Sequence, residues 1–185
     1  NTTEREWLIM VYMSGVNDLG ILGYVDKNIN AMESVNLTNK IAVVAHYNVI
    51  RADENKSLHF QSGSESIHIH HDSDINNVTS PVFDSKDSSD MGNEKHLSRF
   101  VIPNIREFPA KKTMRIVWGH GDGYKGIAHD DVSNNHIRVK QLGLVLADIT
   151  RITGRKLDIF ATDASFMQMA SVAYEIKEYA KVIVG

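Results

Sequence analysis

The sequence contains no cysteine, which excludes a disulfide framework, zinc-thiolate sites and any thiol nucleophile within this chain. It has only three prolines in 185 residues, so it lacks the composition of a linker or low-complexity tail. No apolar run approaches the roughly 20 residues needed to cross a bilayer, so no membrane span is expected. The start Asn1-Thr2-Thr3 lacks the charged-then-apolar layout of a signal peptide. A first residue other than Met fits removal of a leader and trimming equally well, which leaves export open. Charge of one sign is also missing: 20 Lys+Arg against 23 Asp+Glu leave a net charge of -3, and no local basic patch compensates, so nucleic acid is not an expected partner. What is present, 42% hydrophobic and 23% charged residues, describes one globular domain over residues 1–185 with a core of useful size.

Trp7 to Met13 form an apolar run that reads as a strand, and Ser14 to Asp18 read as a turn into a helix N-cap. From Asp18 the apolar residues Leu19, Leu22, Val25, Ile29, Met32 and Val35 recur at three- and four-residue steps, predicting one amphipathic helix. Ile41 to Tyr47 give a second buried strand, and strand, helix, strand at this spacing is a βαβ unit. The fold class is therefore α/β, with a mostly parallel central sheet. Leu58 to His71 alternate around a Ser/Gly turn and predict a hairpin at the sheet edge, within an exposed insertion over about 51–95. Helical spacing resumes from Leu97 to Ile105, before Pro109. Thr113 to Trp118 form a third buried strand, and Tyr124 to Arg138 read as a mobile polar stretch. A helix from Val139 is stopped by Gly154. The strand Leu157 to Ala161 leads into Thr162-Asp163-Ala164-Ser165, read as the opening of another helix, and Lys181 to Gly185 form a last strand. Ending on a strand without a closing helix predicts further chain, covalent or separate, that completes the domain at its C-terminal side.

In an open parallel sheet, functional residues gather beyond the carboxyl ends of the strands. Two such ends stand out. At Gly119-His120-Gly121 the flanking glycines allow a sharp turn and leave an imidazole beside a free N–H. At Asp163-Ala164-Ser165 a small, nucleophile-sized side chain meets a predicted helix start. If the two strands are neighbours, His120 and Ser165 could face one carbonyl.

The ordered set Trp7 to Met13 with Asn17-Asp18-Leu19, Phe108-Pro109-Ala110-Lys111-Lys112, Gly119-His120-Gly121, and Asp163-Ala164-Ser165-Phe166-Met167 with Tyr174-Glu175 resembles the clostripain-like cysteine peptidases of the caspase-like clan. The resemblance spans nearly the whole chain and is weakest between Asn48 and Asp90. It implies a caspase-like α/β/α sandwich and an endopeptidase that cleaves after Arg or Lys. By the same resemblance His120 is the general acid/base, the N–H of Gly121 belongs to the oxyanion hole, and Asp163 lies in an acidic S1 pocket. The family's Cys position is Ser165 here, a much poorer nucleophile beside a His read as lacking a third orienting group, so the chain as it stands is expected to be inactive. Ser differs from Cys by one atom and is a usual way to trap a peptidase before self-cleavage, which favours an introduced change. Ser171, where many relatives carry an acid, keeps a natural pseudopeptidase that binds basic peptides as the alternative. A flavodoxin-like nucleotide or signalling domain is the rival from another class. The family often cuts itself between the His and Cys positions, making Lys125, Arg138 and Lys140 the candidate sites. The expected partners are a peptide or protein with a basic P1 residue and the C-terminal portion or heavy chain. The resemblance also implies a secreted, periplasmic or cell-surface bacterial protein.

Other constellations carry weaker chemistry. Gly119, Gly121 and Gly123 do not match the spacing of a dinucleotide loop, and no Walker lysine follows. His68 and His70 share a strand face beside His71, yet no further ligand is fixed next to them, so they read as exposed hairpin histidines. No cofactor is required by this chemistry. Calcium enters only through the resemblance, with Asp72, Asp74, Asp84, Asp87 and Asp90, or His129-Asp130-Asp131, as the acidic clusters and no EF-hand spacing among them. The Asn-x-Ser/Thr sequences at Asn1, Asn36, Asn55 and Asn77 are assigned no role.

Overall fold

The computed structural model describes residues 4–185 except 54, 61–62 and 88. Strand β1 (Arg5–Gly15) is followed by α1 (Asp18–Ile21), α2 (Tyr24–Glu33) and β2 (Ile41–Ala52). Next come β3 (Leu58–Phe60), β4 (Ser64–His68), β5 (Val82–Lys86), α3 (Glu94–Glu107) and β6 (Ala110–Trp118). A 3-10 turn at Gly123–Lys125 leads to β7 (Ile127–Asp130) and β8 (Asn135–Ile137), and the chain continues through α4 (Val139–Thr153), β9 (Leu157–Asp163), α5 (Ala170–Ile176) and β10 (Ala180–Val184). The main sheet runs β10-β9-β6-β1-β2-β4-β5, with β3 also on β2. Every pairing from β10 to β2 is parallel, and β3, β4 and β5 add an antiparallel edge. The α/β class with a mostly parallel, open sheet is thus what the chain adopts.

The parallel strands form because apolar side chains on both of their faces find cover. One face carries Leu8, Met10, Tyr12, Val44 and Phe160, packed with Leu97 and Phe100 of α3 and Leu142, Leu146 and Ile149 of α4. The other carries Val11, Met13, Val43 and Ala45 against Val25 and Ile29 of α2. The helix expected from Asp18 is two helices, because Gly23 turns left-handed (φ 76) between α1 and α2. Gly154 ends α4 at φ 72, as its position predicts.

The hairpin expected around the Ser/Gly turn does not form. β3 and β4 both pair antiparallel with β2, so they run the same way, and Ser62 lies outside the described residues. The chain reverses earlier, between β2 and β3, where Asp53 accepts hydrogen bonds from the N–H groups of Asn55 and Ser57 at 2.9 and 2.8 Å. Ile67, Ile69 and Met91 of this region are core residues, whereas Asp74 to Asn77 are exposed. Buried Glu33 fastens the segment, accepting from Thr79 N–H at 3.1 Å and Ser80 N–H at 2.7 Å. The stretch 124–138 is ordered rather than a mobile loop: β7 pairs with β8, and Ile127, Ala128 and Ile137 are fully buried. Among the described residues no helix is long and apolar enough to cross a membrane.

Candidate active site

Strands β6 and β9 are adjacent and parallel, with Trp118 opposite Asp163, so their carboxyl ends stop side by side. Gly119 N–H extends the ladder by one bond to the Asp163 carbonyl at 3.2 Å, and its φ of 142 then swings the chain away from the sheet. His120 follows at once, half-exposed. It lines a cleft of about 500 Å³ together with Leu19, Trp118, Thr162, Asp163, Ala164 and Ser165. The two sequence segments singled out separately therefore meet in one site.

The loop after β9 is not the start of a helix. Phe166 adopts φ 63, a left-handed conformation that interrupts helical geometry, and α5 begins only at Ala170. Met167, 2% exposed, anchors the loop in the core while Ser165 faces solvent. The helix-terminus field expected at Ser165 is consequently absent. Ser165 makes no side-chain hydrogen bond among the described residues, and His120 is not bonded to it.

Gly121 stands behind the nucleophile position. A Cβ on Gly121 would lie 2.4 Å from the Ser165 carbonyl oxygen and 2.8 Å from Met167 Cγ, so only glycine fits there. Asp122 N–H donates to the Gly126 carbonyl (2.9 Å) and Ala128 N–H to the His120 carbonyl (3.2 Å). The bridge between Gly121 and Ile127 thus uses the residues flanking Gly121, and the N–H of Gly121 itself has no acceptor among the described residues. An unspent backbone donor beside the Ser165 loop is a group that could hold a developing oxyanion.

His120 has an orienting partner, contrary to the expectation from sequence: its Nε2 lies 2.5 Å from Oδ1 of Asp18. No spacing rule could have linked residues so far apart in the chain. Asp163 is exposed and supplies the carboxylate of the cleft, which no Lys or Arg side chain lines. Lys125 is exposed and paired with Asp122 at 3.3 Å. Arg138 is exposed with extended backbone (φ -68, ψ 150), and Lys140 lies inside the first turn of α4.

The glycines at 119–123 lead into a 3-10 turn and β7 instead of an α-helix, so they form no phosphate cradle at a helix N-terminus. The acidic clusters are spent on local structure. Asp130 accepts from Met91 N–H and Ser133 N–H, Asp74 from Asn76 and Asn77, and Asp90 from Gly92 N–H and the Asn135 amide. His68 and His70 do face each other, 3.2 Å apart. Among the described residues no three His, Asp or Glu side chains gather where they could hold a metal ion.

A histidine and a small polar side chain at adjacent parallel strand ends, with a free N–H beside them and a carboxylate in the cleft, is the layout of an acyl-transfer site. The model of the Clostripain family matches residues 11–185, and the chain belongs to that family. No match is found among curated proteins. Among solved structures the chain is similar to a secreted C11 cysteine protease from Bacteroides thetaiotaomicron in complex with an irreversible peptide inhibitor, at 19% identity and a TM-score of 0.70 over 95% of this chain and 47% of the other. An inactive zymogen C11 protease from Parabacteroides distasonis matches at 19% identity and a TM-score of 0.70, over 98% and 49%. The secreted Bacteroides thetaiotaomicron protease "iotapain" matches at 13% and 0.68, over 98% and 52%. At these identities the likeness establishes a shared fold, and the chain spans about half the length of those solved chains.

Proposed function

We propose that this chain carries the catalytic dyad of a cysteine endopeptidase that cleaves after Arg or Lys, with serine standing at the nucleophile position so that this form is inactive. The observation that supports it most is the cleft that His120, Ser165 and Asp163 line together at the ends of β6 and β9. With Cys at position 165, the thiolate attacks the scissile carbonyl and the carbonyl electron pair moves onto oxygen, where Gly121 N–H receives it. His120 then gives its proton to the leaving amine as the C–N bond breaks, leaving a thioester. Water, losing a proton to His120, attacks that thioester, and the C–S bond breaks to free the acid and restore the thiolate. A hydroxyl has almost no ionised fraction near neutral pH, so Ser165 cannot start the sequence at a useful rate. Asp163, in a cleft that no Lys or Arg side chain lines among the described residues, favours a basic P1 side chain.

The remaining half of the protein, by this reading, supplies further pocket wall and is the heavy-chain partner. Self-cleavage falls at Arg138 or Lys125, whose side chains are exposed; Lys140 would have to be unwound from α4. Secretion from a bacterium follows by analogy with the relatives described as secreted.

The test is turnover of matched fluorogenic peptides ending in Arg, Lys or Asp by the full-length protein carrying Ser165→Cys. Cleavage after Arg or Lys is expected, abolished by His120→Ala and shifted away from basic peptides by Asp163→Asn. Folded Ser165→Cys protein that binds basic peptides without cutting them would establish the pseudopeptidase instead.

A further inference from the structure

We infer that Asp18 is a positioning residue for His120, so that the dyad works as part of a carboxylate-imidazole-nucleophile relay; the inference rests on the peptidase reading above. The contact is short, Nε2 to Oδ1 at 2.5 Å, and both partners hang on one clamp. Asn17, next to Asp18, is 2% exposed; its Oδ1 accepts from Leu19 N–H (3.0 Å) and its Nδ2 donates to the carbonyls of His129 (2.9 Å) and Ser14 (3.2 Å). Ser14 Oγ donates to the same His129 carbonyl at 2.7 Å, and Asp131 N–H donates to Val16 C=O at 2.8 Å. The loop after β1 is thereby tied to β7, and β7 is tied to His120 through Ala128. A chance pairing of two surface side chains has no such support.

The chemistry follows from which nitrogen is occupied. A carboxylate accepts and does not donate, so the proton on the side facing Asp18 stays on Nε2. Nδ1 is left as the nitrogen that exchanges its proton with the nucleophile and the leaving amine. The carboxylate fixes the ring's rotation and tautomer, and its charge stabilises the imidazolium formed when the nucleophile is ionised. Asp18 touches no reacting atom, so its effect reaches the substrate only through His120.

Two measurements decide the matter. In full-length Ser165→Cys protein, Asp18→Ala should lower kcat on the preferred basic peptide by roughly ten- to hundredfold, within the contribution of general acid-base catalysis. KM should stay within about twofold, because a group that acts only through His120 alters the chemical steps and not the uniform binding of substrate. Asp18→Asn, which keeps an acceptor oxygen but not the charge, should recover part of the loss. An exposed ion pair adds little to stability, so the melting midpoint should hardly move. Independently of turnover, 15N-histidine spectra of the Ser165 form should show a hydrogen-bonded proton on His120 Nε2 that disappears in Asp18→Ala. An unchanged kcat, a loss confined to KM, or a ring proton indifferent to Asp18→Ala overturns the assignment. Turnover that needs His120 but ignores Asp18 sinks this role alone, whereas no turnover by Ser165→Cys protein sinks the peptidase reading and this role with it.

Discussion

Acidification should weaken the fold through the buried histidine pair that joins β2 to α3. His46 is 3% exposed, with Nδ1 at 2.8 Å from Ser66 Oγ and Nε2 at 2.8 Å from Nε2 of His96, which also contacts Ser64 Oγ at 3.1 Å. Its ring packs against those of both Tyr12 and Phe100. Burial first, and the neighbouring His96 and Lys86 next, push its pKa down to about 3 from 6.5. His96 is lowered as well, by burial and then Arg99, with the Asp90 and Asp84 carboxylates opposing. The sign follows from which state binds the proton. Between those values the unfolded chain takes up a proton at position 46 and the folded chain does not, so stability is full above pH 6.5 and falls as pH drops toward 3. At about 1.4 kcal/mol per unit, His46 alone removes roughly 2 kcal/mol between pH 7 and pH 5, and about 5 kcal/mol by pH 3. For a chain of this size the first figure is a fall of about 4 to 8 °C in melting midpoint. The assay is urea or thermal unfolding at pH 7 and pH 5 of the chain and of His46→Gln, whose amide can still meet Ser66 and His96. Carboxylates contribute equally to both proteins, so the difference in slope isolates the imidazole. Equal slopes, or an NMR titration of His46 with its midpoint near 6, would refute the reasoning.

Two further outcomes follow from the packing. Gly121→Ala places a methyl 2.4 Å from a backbone oxygen of the nucleophile loop, which cannot rotate aside. It should cost about 1–3 kcal/mol in urea unfolding, and in Ser165→Cys protein it should cut peptide turnover by at least roughly tenfold through displacement of the oxyanion donor; unaltered turnover would exclude Gly121 from that role. Arg115 on β6 is fully buried, its Nε, Nη1 and Nη2 have no hydrogen-bond partner among the described residues, and burial lowers its pKa to about 9. Replacing such a charge by a well-packed apolar side chain is expected to be stabilising by about 1–4 kcal/mol, so Arg115→Met should raise the urea midpoint, and a lowered midpoint would show that the guanidinium has partners in solution.

The strands were readable because burial on both faces leaves an unbroken apolar run, as in Leu8 to Met13 and Ala42 to Ala45. Gly154 was readable because a helix end needs the left-handed conformation it supplies. The break at Gly23 was hidden by apolar spacing that runs straight through it from Leu19 to Met32. Residues 124–138 were hidden by composition: polar and charged side chains dominate, while the three apolar side chains that plug β7 and β8 into the core are too few to set a period. At Ser165 a strand end followed by helical spacing suggested an immediate helix start. Phe166 in a left-handed conformation, with Met167 pulled into the core, delays the helix to Ala170, and neither feature leaves a local signal. The Arg115 and His46 environments depend on packing between distant elements, and no local pattern encodes them.

The site itself shows why strand ends were a sound guide and also why they were insufficient. Ser165, His120 and Asp18 follow β9, β6 and β1, and these three strands are consecutive in the sheet. Neighbouring strands lie about 4.8 Å apart, so side chains just beyond adjacent carboxyl ends fall within reach of one another. Those beyond a strand two places away need a longer arm or a loop that leans across. The order Ser165, His120, Asp18 is therefore the order of the strands. Sequence reading finds each strand end separately, because each is a local change from apolar run to turn. It cannot order them, because β6 reaches β1 only after the chain has laid down β2 to β5 on the other side of β1 and then passed through α3. Asp18 looked like a helix-start residue, which it also is, and its contact with His120 exists only once that crossover has closed.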